Sequence, residues 1–379
     1  MSKLSHITSS IFSSMSQMAK EYNAINLSQG FPDFPVDERL TDLIYKWAKR
    51  DIHQYLPMAG LPSLLEKIAA LTQKSYNRKI NPLTDILITA GATEGIFATI
   101  QALANQNEEV IILDPSYDCY ETPVLLCNAK PIRIHLNDDF TPNWERIGDA
   151  MNSKTRLIII NNPHNPSGRI WTTYDFEKLE HLLDLHPDVL VLSDEVYEYI
   201  TFENKHISVH HRVKLLEKSI IISSFGKSFH ITGWKIGYLI APEHLMKTIK
   251  KVHQFLVFSV NSLAQCVIND YLDVVEIESL SFFYQQKRNY FRNLLQETNF
   301  VLLPCEGSYF QLVSYQLLSD ETDIDFTIQL VKKYGVAAIP LSPFYSNQKQ
   351  TRCVRFCFAK ENDTLFQSVE RLKSLAFNK

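Results

Sequence analysis

Short runs of β-branched and other apolar residues alternate with longer segments of helical spacing along the middle of the chain. The runs are DILITA (85–90), EVIIL (109–113), RLIIIN (156–161), DVLVLS (188–193) and SIIISS (219–224). Helical segments such as GIFATIQALANQ and YDFEKLEHLLDLH lie between them. Nearly continuous apolar strands that alternate with helices are typical of a parallel sheet covered on both faces. The sequence therefore predicts an α/β fold.

Polar, glycine-rich or aromatic loops follow all five runs. In chain order they are GATEG, DPSYDCY, NPHNPSG, DEVYEY and FGKS. Each loop alone has an ordinary structural explanation, such as a strand–helix turn, a helix cap or a solvated lysine. In parallel α/β sheets, however, ligands bind beyond the carboxyl ends of the strands. Five such loops at five strand ends therefore predict a binding site at this edge of the sheet.

The last hundred residues have a different pattern. A charged helix, YQQKRNYFRNLLQE, is followed by short strands around GSYFQLVS and CVRFCFAK. This part is typical of an α+β unit, which we expect the N-terminal segment to complete. We therefore predict a large α/β domain over residues 40–280 and a smaller α+β domain over residues 1–39 and 281–379. No Gly/Ser-rich linker marks the boundary.

Charge and composition exclude several classes of function. The net charge is −4, from 38 Lys and Arg against 42 Asp and Glu, and gives no indication of a nucleic-acid or anionic membrane surface. No run reaches the roughly 20 apolar residues of a membrane span. The polar N-terminus, MSKLSHITSSIFSSMSQMAKEY, lacks a secretory apolar core and indicates an amphipathic segment of a cytoplasmic protein. The six cysteines show no paired CxxC arrangement, the Cys353–Cys357 spacing alone is a weak metal signal, and the twelve histidines match no zinc-site pattern. We therefore predict no metal and expect the cysteines to be buried or half-buried thiols.

Three blocks carry a family resemblance: SFGKSFHITGWKIGY (224–238), NPHNPSG (162–168) and SDEVYE (193–198). With them the chain resembles the fold-type I pyridoxal-phosphate (PLP) aminotransferases, from INLSQGFPDFP near the start to VRFCFAK near the end. It is most similar to the subgroup of bacterial methionine aminotransferases and kynurenine/glutamine aminotransferases. The resemblance implies a mostly parallel seven-stranded sheet in the large domain, PLP as the cofactor and a homodimer with shared active sites.

The resemblance also implies roles for individual residues in cofactor binding. Lys227 matches the lysine that binds the PLP aldehyde and then moves a proton, for which its amine must be neutral. The phosphate would be bound by a hydroxyl, an amine and backbone N–H groups, from Ser224, Lys235, Gly91, Ala92 and Thr93. Many relatives have arginine where Lys235 stands, so here the phosphate would meet a point charge in place of a planar fork.

The other implied roles concern the cofactor ring and the substrate. Residues implied to contact the ring are Asp194 at the pyridine nitrogen, Tyr197 and Asn165 at the phenolic oxygen, and Tyr117 stacked on its face. Residues implied to bind the substrate are Arg355 and Asn165 at its carboxylate, Gly30 through its backbone, and Phe31 at its side chain. Tyr55 matches a tyrosine that reaches the phosphate of the partner subunit. Lys227, Asp194 and Tyr197 would be the catalytic residues.

Three functions are compatible with these residues. The first is transfer of the amino group of methionine or an aromatic or apolar L-amino acid to a 2-oxo acid. The second is another PLP reaction on the same scaffold, such as cysteine-conjugate or cystathionine β-elimination; a kynurenine aminotransferase is a further alternative. The third is a non-catalytic PLP-binding regulator, which is disfavoured because no basic DNA-binding segment remains outside the resemblance.

Overall fold

The structure is a computed structural model that describes residues 10–375 of the chain. The helices in this part are α1 (Ile11–Glu21), α2 (Glu38–Ala48), α3 (Pro62–Tyr76), α4 (Ala92–Leu103), α5 (Glu121–Leu126), α6 (Trp144–Ala150), α7 (Thr173–Leu185), α8 (Phe225–Ser228), α9 (Glu243–Leu256), α10 (Ser262–Tyr271), α11 (Ser279–Leu295), α12 (Asp323–Tyr334) and α13 (Asn362–Leu372). The strands are β1 (Ile25–Asn26), β2 (Ile86–Thr89), β3 (Glu109–Asp114), β4 (Lys130–His135), β5 (Thr155–Asn161), β6 (Leu190–Asp194), β7 (Ser219–Ser223), β8 (Gly237–Ile240), β9 (Val301–Leu302), β10 (Phe310–Ser314), β11 (Val336–Ala337), β12 (Ile339–Pro340) and β13 (Cys353–Cys357).

A seven-stranded sheet forms the centre of the molecule, with the strand order β2-β8-β7-β6-β5-β3-β4. Its strands pair in parallel from β7 through β4, while β8 is antiparallel to both of its neighbours. All five predicted strands lie in this sheet, with ends shifted by at most two residues. The α/β fold and the mostly parallel seven-stranded sheet are therefore confirmed.

Helices cover both faces of this sheet because alternate residues of its strands point to opposite sides. On one face, Ile158 of β5 lies in a buried cluster with Phe176 of α7. On the other face, Ile159 lies in a cluster with Ile96 of α4 and Met246 of α9. Since both faces are buried, the central strands carry runs of three or more consecutive apolar residues, as in residues 157–160 of β5, which is the pattern seen in the sequence.

A second, antiparallel sheet has the order β12-β13-β10-β9, and β1 pairs in parallel with β11 beside it. Both ends of the chain contribute to this region. Met15 and Ala19 of α1 lie in a buried cluster with Leu312 of β10 and Ile339 of β12. Residues 1–9, which also belong to the predicted amphipathic segment, lie outside the described residues. The domain boundaries near residues 40 and 280 stay a prediction, since one apolar cluster contains side chains of both sheets.

The described part of the chain has neither a membrane-spanning helix nor a cluster of metal ligands. No helix within residues 10–375 is long and apolar enough to cross a membrane. The same residues contain no group of three or more His, Cys, Asp or Glu side chains that could bind a metal ion. None of the six cysteines forms a disulfide within the described residues, and four of them are buried.

Candidate active site

A cavity of about 290 Å³ opens at the carboxyl ends of the parallel strands. Of the predicted site residues, all but Tyr55 line it: Gly30, Phe31, Gly91, Ala92, Thr93, Tyr117, Asn165, Asp194, Tyr197, Ser224, Lys227, Lys235 and Arg355. The loops after β2, β3, β5, β6 and β7 all contribute to this lining. A cavity therefore lies at the sheet edge where the sequence predicts the site.

Lys227 reaches the cavity from α8, the short helix that follows β7. Its Nζ lies 3.4 Å from the carbonyl oxygen of Gly30 and less than 6 Å from the ring centres of Tyr197 and Tyr309. Burial lowers the pKa of the amine to about 8, and the positive charge of Arg355 acts in the same direction. A lysine with this pKa has an appreciable neutral fraction near physiological pH, so it can act as a nucleophile and as a base.

Asp194 ends β6, the strand next to β7, and its carboxylate faces the same cavity. Its Oδ2 accepts a hydrogen bond of 2.7 Å from the hydroxyl of Tyr120, and its Oδ1 lies 3.3 Å from the backbone nitrogen of Val196. Burial raises the pKa of Asp194 to about 6, against the effect of the Tyr120 hydrogen bond. A carboxylate buried without a cationic partner among the described residues can be stabilised by a ligand that brings a positive N–H group.

Backbone N–H groups and an amine meet at the start of α4. Gly91 precedes this helix with φ +76°, a conformation that favours glycine. A Cβ on Gly91 would lie 3.2 Å from Nζ of Lys235, so the amine is close to the helix N-terminus. Ser224, the residue before α8, lines the same cavity. A helix N-terminus with a lysine beside it is suited to bind a phosphate group.

Arg355 enters the cavity from β13 of the second sheet and is 1% exposed. Its Nη1 donates to Oδ1 of Asn165 at 2.6 Å, and its Nη2 donates to the carbonyl oxygen of Ser28 at 3.0 Å. Its guanidinium carbon lies 3.8 Å from the ring centre of Phe310. The Nε atom has no hydrogen-bond partner, and no carboxylate within residues 10–375 forms an ion pair with Arg355. A buried cation in this state is well prepared to bind a carboxylate of a ligand.

Tyr197 and Asn165 line the same cavity, and Asn165 contacts Arg355 directly. Asn165 is fixed by two contacts, because its backbone N–H donates to Oδ1 of Asn161 at 2.7 Å while its side chain accepts from Arg355. Tyr197 packs edge-on against Tyr309, with ring centres 5.2 Å apart, and burial raises the pKa of its hydroxyl. The neutral hydroxyl and the amide can both serve as hydrogen-bond donors to a ligand oxygen.

Several lining residues were missed in the sequence. Tyr120, whose hydroxyl donates to Asp194, stands three residues after Tyr117 in the same DPSYDCY block. Its place in this block is the sequence signal that could have identified it. Asn161 donates from its side chain to the carbonyl oxygen of Asp194 at 2.9 Å, across the β5–β6 pair. Phe12 of α1 and Phe310 of β10 also line the cavity. No local pattern marks these two as site residues, because they come from distant parts of the chain.

Tyr55 lies outside the cavity, and its side chain is 81% exposed in this single chain. It borders a separate depression with residues 53–54 and 259–262, and its ring packs edge-on against Phe258 at 5.2 Å. Within one chain, therefore, Tyr55 is not brought together with the other predicted residues.

Comparisons with known proteins agree with this geometry. The family model for aminotransferase class I and II matches residues 22–372. Methionine aminotransferase of Escherichia coli is 42% identical over 99% of this chain and 98% of its own length. Human kynurenine–oxoglutarate transaminase 3 is 31% identical over 100% of this chain and 90% of its own length.

Solved structures have the same architecture. A crystal structure of an E. coli protein reported with a methionine aminotransferase function has a TM-score of 0.96 at 41% identity, and covers 99% of each chain. N-succinyldiaminopimelate aminotransferase of Mycobacterium tuberculosis has a TM-score of 0.94 at 30% identity, over 99% of this chain and 100% of its own. The family model matches nearly the whole length of the chain, and one cavity is lined by a lysine, an aspartate and an arginine that has no carboxylate partner among the described residues; this chain belongs to the class I and II aminotransferases.

Proposed function

We propose that this aminotransferase uses PLP to move the amino group of methionine, or of an aromatic or apolar L-amino acid, to a 2-oxo acid. The observation that carries the proposal is that Lys227 and Arg355 line one cavity. Lys227 provides an amine with a lowered pKa, and Arg355 provides a buried cation without a carboxylate partner in residues 10–375. An α-amino acid has the two groups that this pair would recognise, an amino-bearing carbon and a carboxylate.

The residues around the cavity fit PLP. Lys227 would bind its aldehyde carbon, Asp194 would accept from its pyridine N–H, and the N-terminus of α4 with Ser224 and Lys235 would bind its phosphate. The remaining contacts would come from Tyr197 and Asn165 at the phenolic oxygen and from Tyr117 on the ring face. When bound, PLP supplies an electron sink for negative charge that forms at the substrate Cα.

The chain's own groups would then carry the proton and fix the substrate. Nζ of Lys227 would take the proton from the substrate Cα, which requires the neutral amine that burial favours. The carboxylate of Asp194 would stabilise the positive charge on the pyridine N–H of PLP. Arg355 would bind the substrate carboxylate through two N–H groups and so fix the direction of the Cα–H bond, assisted by Asn165 and the backbone N–H of Gly30.

Preference for apolar side chains is supported by two observations. Phe31, Tyr117 and Phe12 line the cavity, and a relative with 42% identity over the whole chain is a methionine aminotransferase. Kynurenine transaminases at about 31% identity keep kynurenine as a second candidate. Apolar pockets discriminate between related side chains by only about 1–3 kcal/mol per methylene, so we expect several amino donors to react.

A donor panel tests the substrate assignment. Methionine, phenylalanine, tyrosine, histidine, glutamine and kynurenine would be compared by kcat/KM against one fixed 2-oxo acid. We expect methionine or an aromatic amino acid to give the highest value. Pyruvate release from a cysteine conjugate, measured beside amino transfer from methionine, separates transamination from β-elimination. Release of pyruvate faster than transfer from every donor would replace the aminotransferase proposal by a β-lyase.

Labelling tests the cofactor lysine. The purified protein should be yellow, because PLP bound covalently to an amine absorbs visible light. Borohydride reduction and peptide mass mapping should place the label on Lys227, whose amine is the one that lines the cavity beside Asp194 with a lowered pKa. Lys235 is the internal control, since it lines the same cavity but is assigned to the phosphate. Label on Lys235, or on any other lysine, contradicts the assignment.

We further propose a cytoplasmic homodimer in which Tyr55 reaches the partner's phosphate site, with domains over residues 40–280 and over 1–39 with 281–379. Exposed aromatic side chains support the dimer: Tyr55 and Phe258, whose rings pack edge-on 5.2 Å apart, are 81% and 45% exposed, and Phe255, three residues before Phe258, is 88% exposed. Large apolar groups gathered on one surface are typical of a protein interface. A second copy of the chain is the partner we propose for it.

Mixed dimers test the sharing of sites. Tyr55→Phe should weaken PLP retention, and a Lys227→Ala protein should be inactive. If Tyr55 acts across the dimer, a mixed dimer of the two variants has one site that lacks both groups and one site that lacks neither. Activity should then recover towards that of one intact site after subunit exchange. Absence of recovery after verified exchange would place Tyr55 in its own subunit's site or outside the site.

A further inference from the structure

The segment Ser28–Phe31 forms one side of the cavity and is held by three side chains from the C-terminal part of the chain. Each of them donates a hydrogen bond to a backbone carbonyl of the segment: Arg355 to Ser28 at 3.0 Å, Tyr309 to Gly30 at 2.6 Å, and Lys360 to Phe31 at 2.7 Å. Arg355 already has a role in the proposed function. Tyr309 and Lys360 do not line the cavity, so their roles need a separate explanation.

Lys360 is a buried lysine whose amine, among the described residues, donates a side-chain hydrogen bond only to Phe31. It is 2% exposed, and no carboxylate in residues 10–375 forms an ion pair with it. Besides its hydrogen bond to the Phe31 carbonyl, its Nζ lies 4.6 Å from the centre of the Phe31 ring. Burial of an ammonium is costly unless other groups compensate it. Both compensating groups, the carbonyl and the ring face, belong to Phe31, so this lysine fixes the backbone and the ring of that residue.

Tyr309 holds the neighbouring carbonyl in the same way. It is fully buried directly before β10, and its hydroxyl donates to the oxygen of Gly30 that also lies 3.4 Å from Nζ of Lys227. Gly30 packs so closely on β10 that a Cβ there would meet the ring of Phe310 at 2.7 Å. The hydroxyl therefore fixes a backbone that already lies against the second sheet.

We propose that Tyr309 and Lys360 are positioning residues for substrate binding. Through the carbonyls of Gly30 and Phe31 they fix the backbone and the aromatic wall that lie beside Arg355. The inference rests on the proposed function, in which the substrate carboxylate binds Arg355 and the N–H of Gly30 while its side chain lies against Phe31. Since neither residue touches the substrate, the loss of either donor raises Kd and KM and leaves kcat nearly unchanged.

Tyr284 offers a matched control for Tyr309. Both tyrosines are fully buried and their ring centres lie 5.7 Å apart, but the hydroxyl of Tyr284 has no hydrogen-bond partner among the described residues. Binding of 4-(methylthio)butanoate, which is methionine without its amino group, would be measured by calorimetry on the holoenzyme. Tyr309→Phe should raise its Kd by about 3- to 10-fold, the effect of one lost hydrogen bond, with kcat for methionine changed by less than about 2-fold. Tyr284→Phe should bind the acid as the wild type does.

Lys360→Met tests the aromatic wall with two acids. Acetate can bind Arg355 but is too short to reach Phe31, whereas 4-(methylthio)butanoate has the length to do so. The variant should weaken binding of the longer acid by about 3- to 10-fold and leave acetate unchanged. Thermal unfolding is measured in parallel. A lower Tm with an unchanged ratio of the two Kd values would assign Lys360 to the fold and overturn its positioning role.

Two further results distinguish failure of the positioning roles from failure of the proposed function. If Tyr309→Phe binds 4-(methylthio)butanoate as tightly as the wild type, or Tyr284→Phe weakens it equally, the positioning role of Tyr309 is wrong while the proposed function stands. If wild-type holoenzyme binds neither acid, the proposed function itself is wrong, and the inference falls with it.

Discussion

Replacement of Asp194 by asparagine should leave a folded protein that retains PLP and loses most of its turnover. An amide cannot balance the positive charge of the pyridine N–H, so the negative charge formed at the substrate Cα is no longer stabilised. Loss of a preorganised electrostatic partner in an active site costs about 10²- to 10³-fold in kcat. Single-turnover kinetics with methionine, on protein with its PLP content determined, measure the effect. Turnover near that of the wild type would contradict the role.

Tyr120→Phe serves as a control for Asp194→Asn, because it should cause a smaller loss of the same function. It removes the 2.7 Å hydrogen bond to Oδ2 of Asp194 but leaves the carboxylate in place. One hydrogen bond to a charged group contributes about 1.5–3 kcal/mol, so the loss in kcat should be about 10- to 100-fold and smaller than that of Asp194→Asn. The same substitution should raise the pKa of Asp194 further above 6, because the lost bond favours the ionised form.

Asp194→Asn should increase the stability of the cofactor-free protein at pH 7, although it lowers the activity of the holoenzyme. Burial raises the pKa of Asp194 from its ordinary value of 3.8 to about 6, so between these values the folded state binds more protons than the unfolded state. Stability then falls as pH rises from about 4 to 6, and at pH 7 the cost is about 3 kcal/mol. Asparagine carries no charge, so the variant should unfold at a higher temperature than the wild type at pH 7. The two proteins should differ least near pH 4.

The cavity could be located from the sequence because its chemistry follows the strands directly. GATEG, NPHNPSG and FGKS stand at the ends of β2, β5 and β7, and parallel strands bring their carboxyl ends to one edge. Two strands were not recognised. β4 lies at the edge of the sheet and is only partly buried, while β8 has four residues, and the helices before them, α5 and α8, have only six and four residues, so neither strand follows a long helical segment.

Contacts between distant residues could not be predicted from local patterns. The hydroxyl of Tyr309 meets the carbonyl of Gly30 across 279 positions of the chain, and Tyr120 meets Asp194 across 74. The sequence separation of neither pair indicates a contact, because the periodicity of apolar residues shows only which face of a helix or strand is buried. The unpaired Nε of Arg355 is likewise a property of the folded core, visible only when every neighbouring group is placed.

Arg355→Lys should reduce kcat/KM for methionine by about one to two orders of magnitude although the charge is kept. Lysine offers a hydrated point ammonium in place of a planar donor with two parallel N–H groups. The substrate carboxylate then loses one charge-assisted hydrogen bond, worth about 1.5–3 kcal/mol, and its fixed plane. The Cα–H bond is no longer held in the direction in which Nζ of Lys227 can take its proton. The rate with 3-(methylthio)propylamine, which is methionine without its carboxylate, should stay as in the wild type.

Arg288→Lys separates this effect from general damage to a buried arginine. Arg288 is 6% exposed and pairs with Glu203, away from the cavity, so its replacement disturbs the same kind of interaction without reaching the substrate. It should leave the ratio of the methionine rate to the amine rate unchanged, whereas Arg355→Lys should lower that ratio by the full loss in kcat/KM. A buried guanidinium without a carboxylate partner is costly to keep, and a substrate carboxylate is the group that would compensate it. If Arg355→Lys slows both substrates equally, Arg355 supports the fold and does not bind the carboxylate.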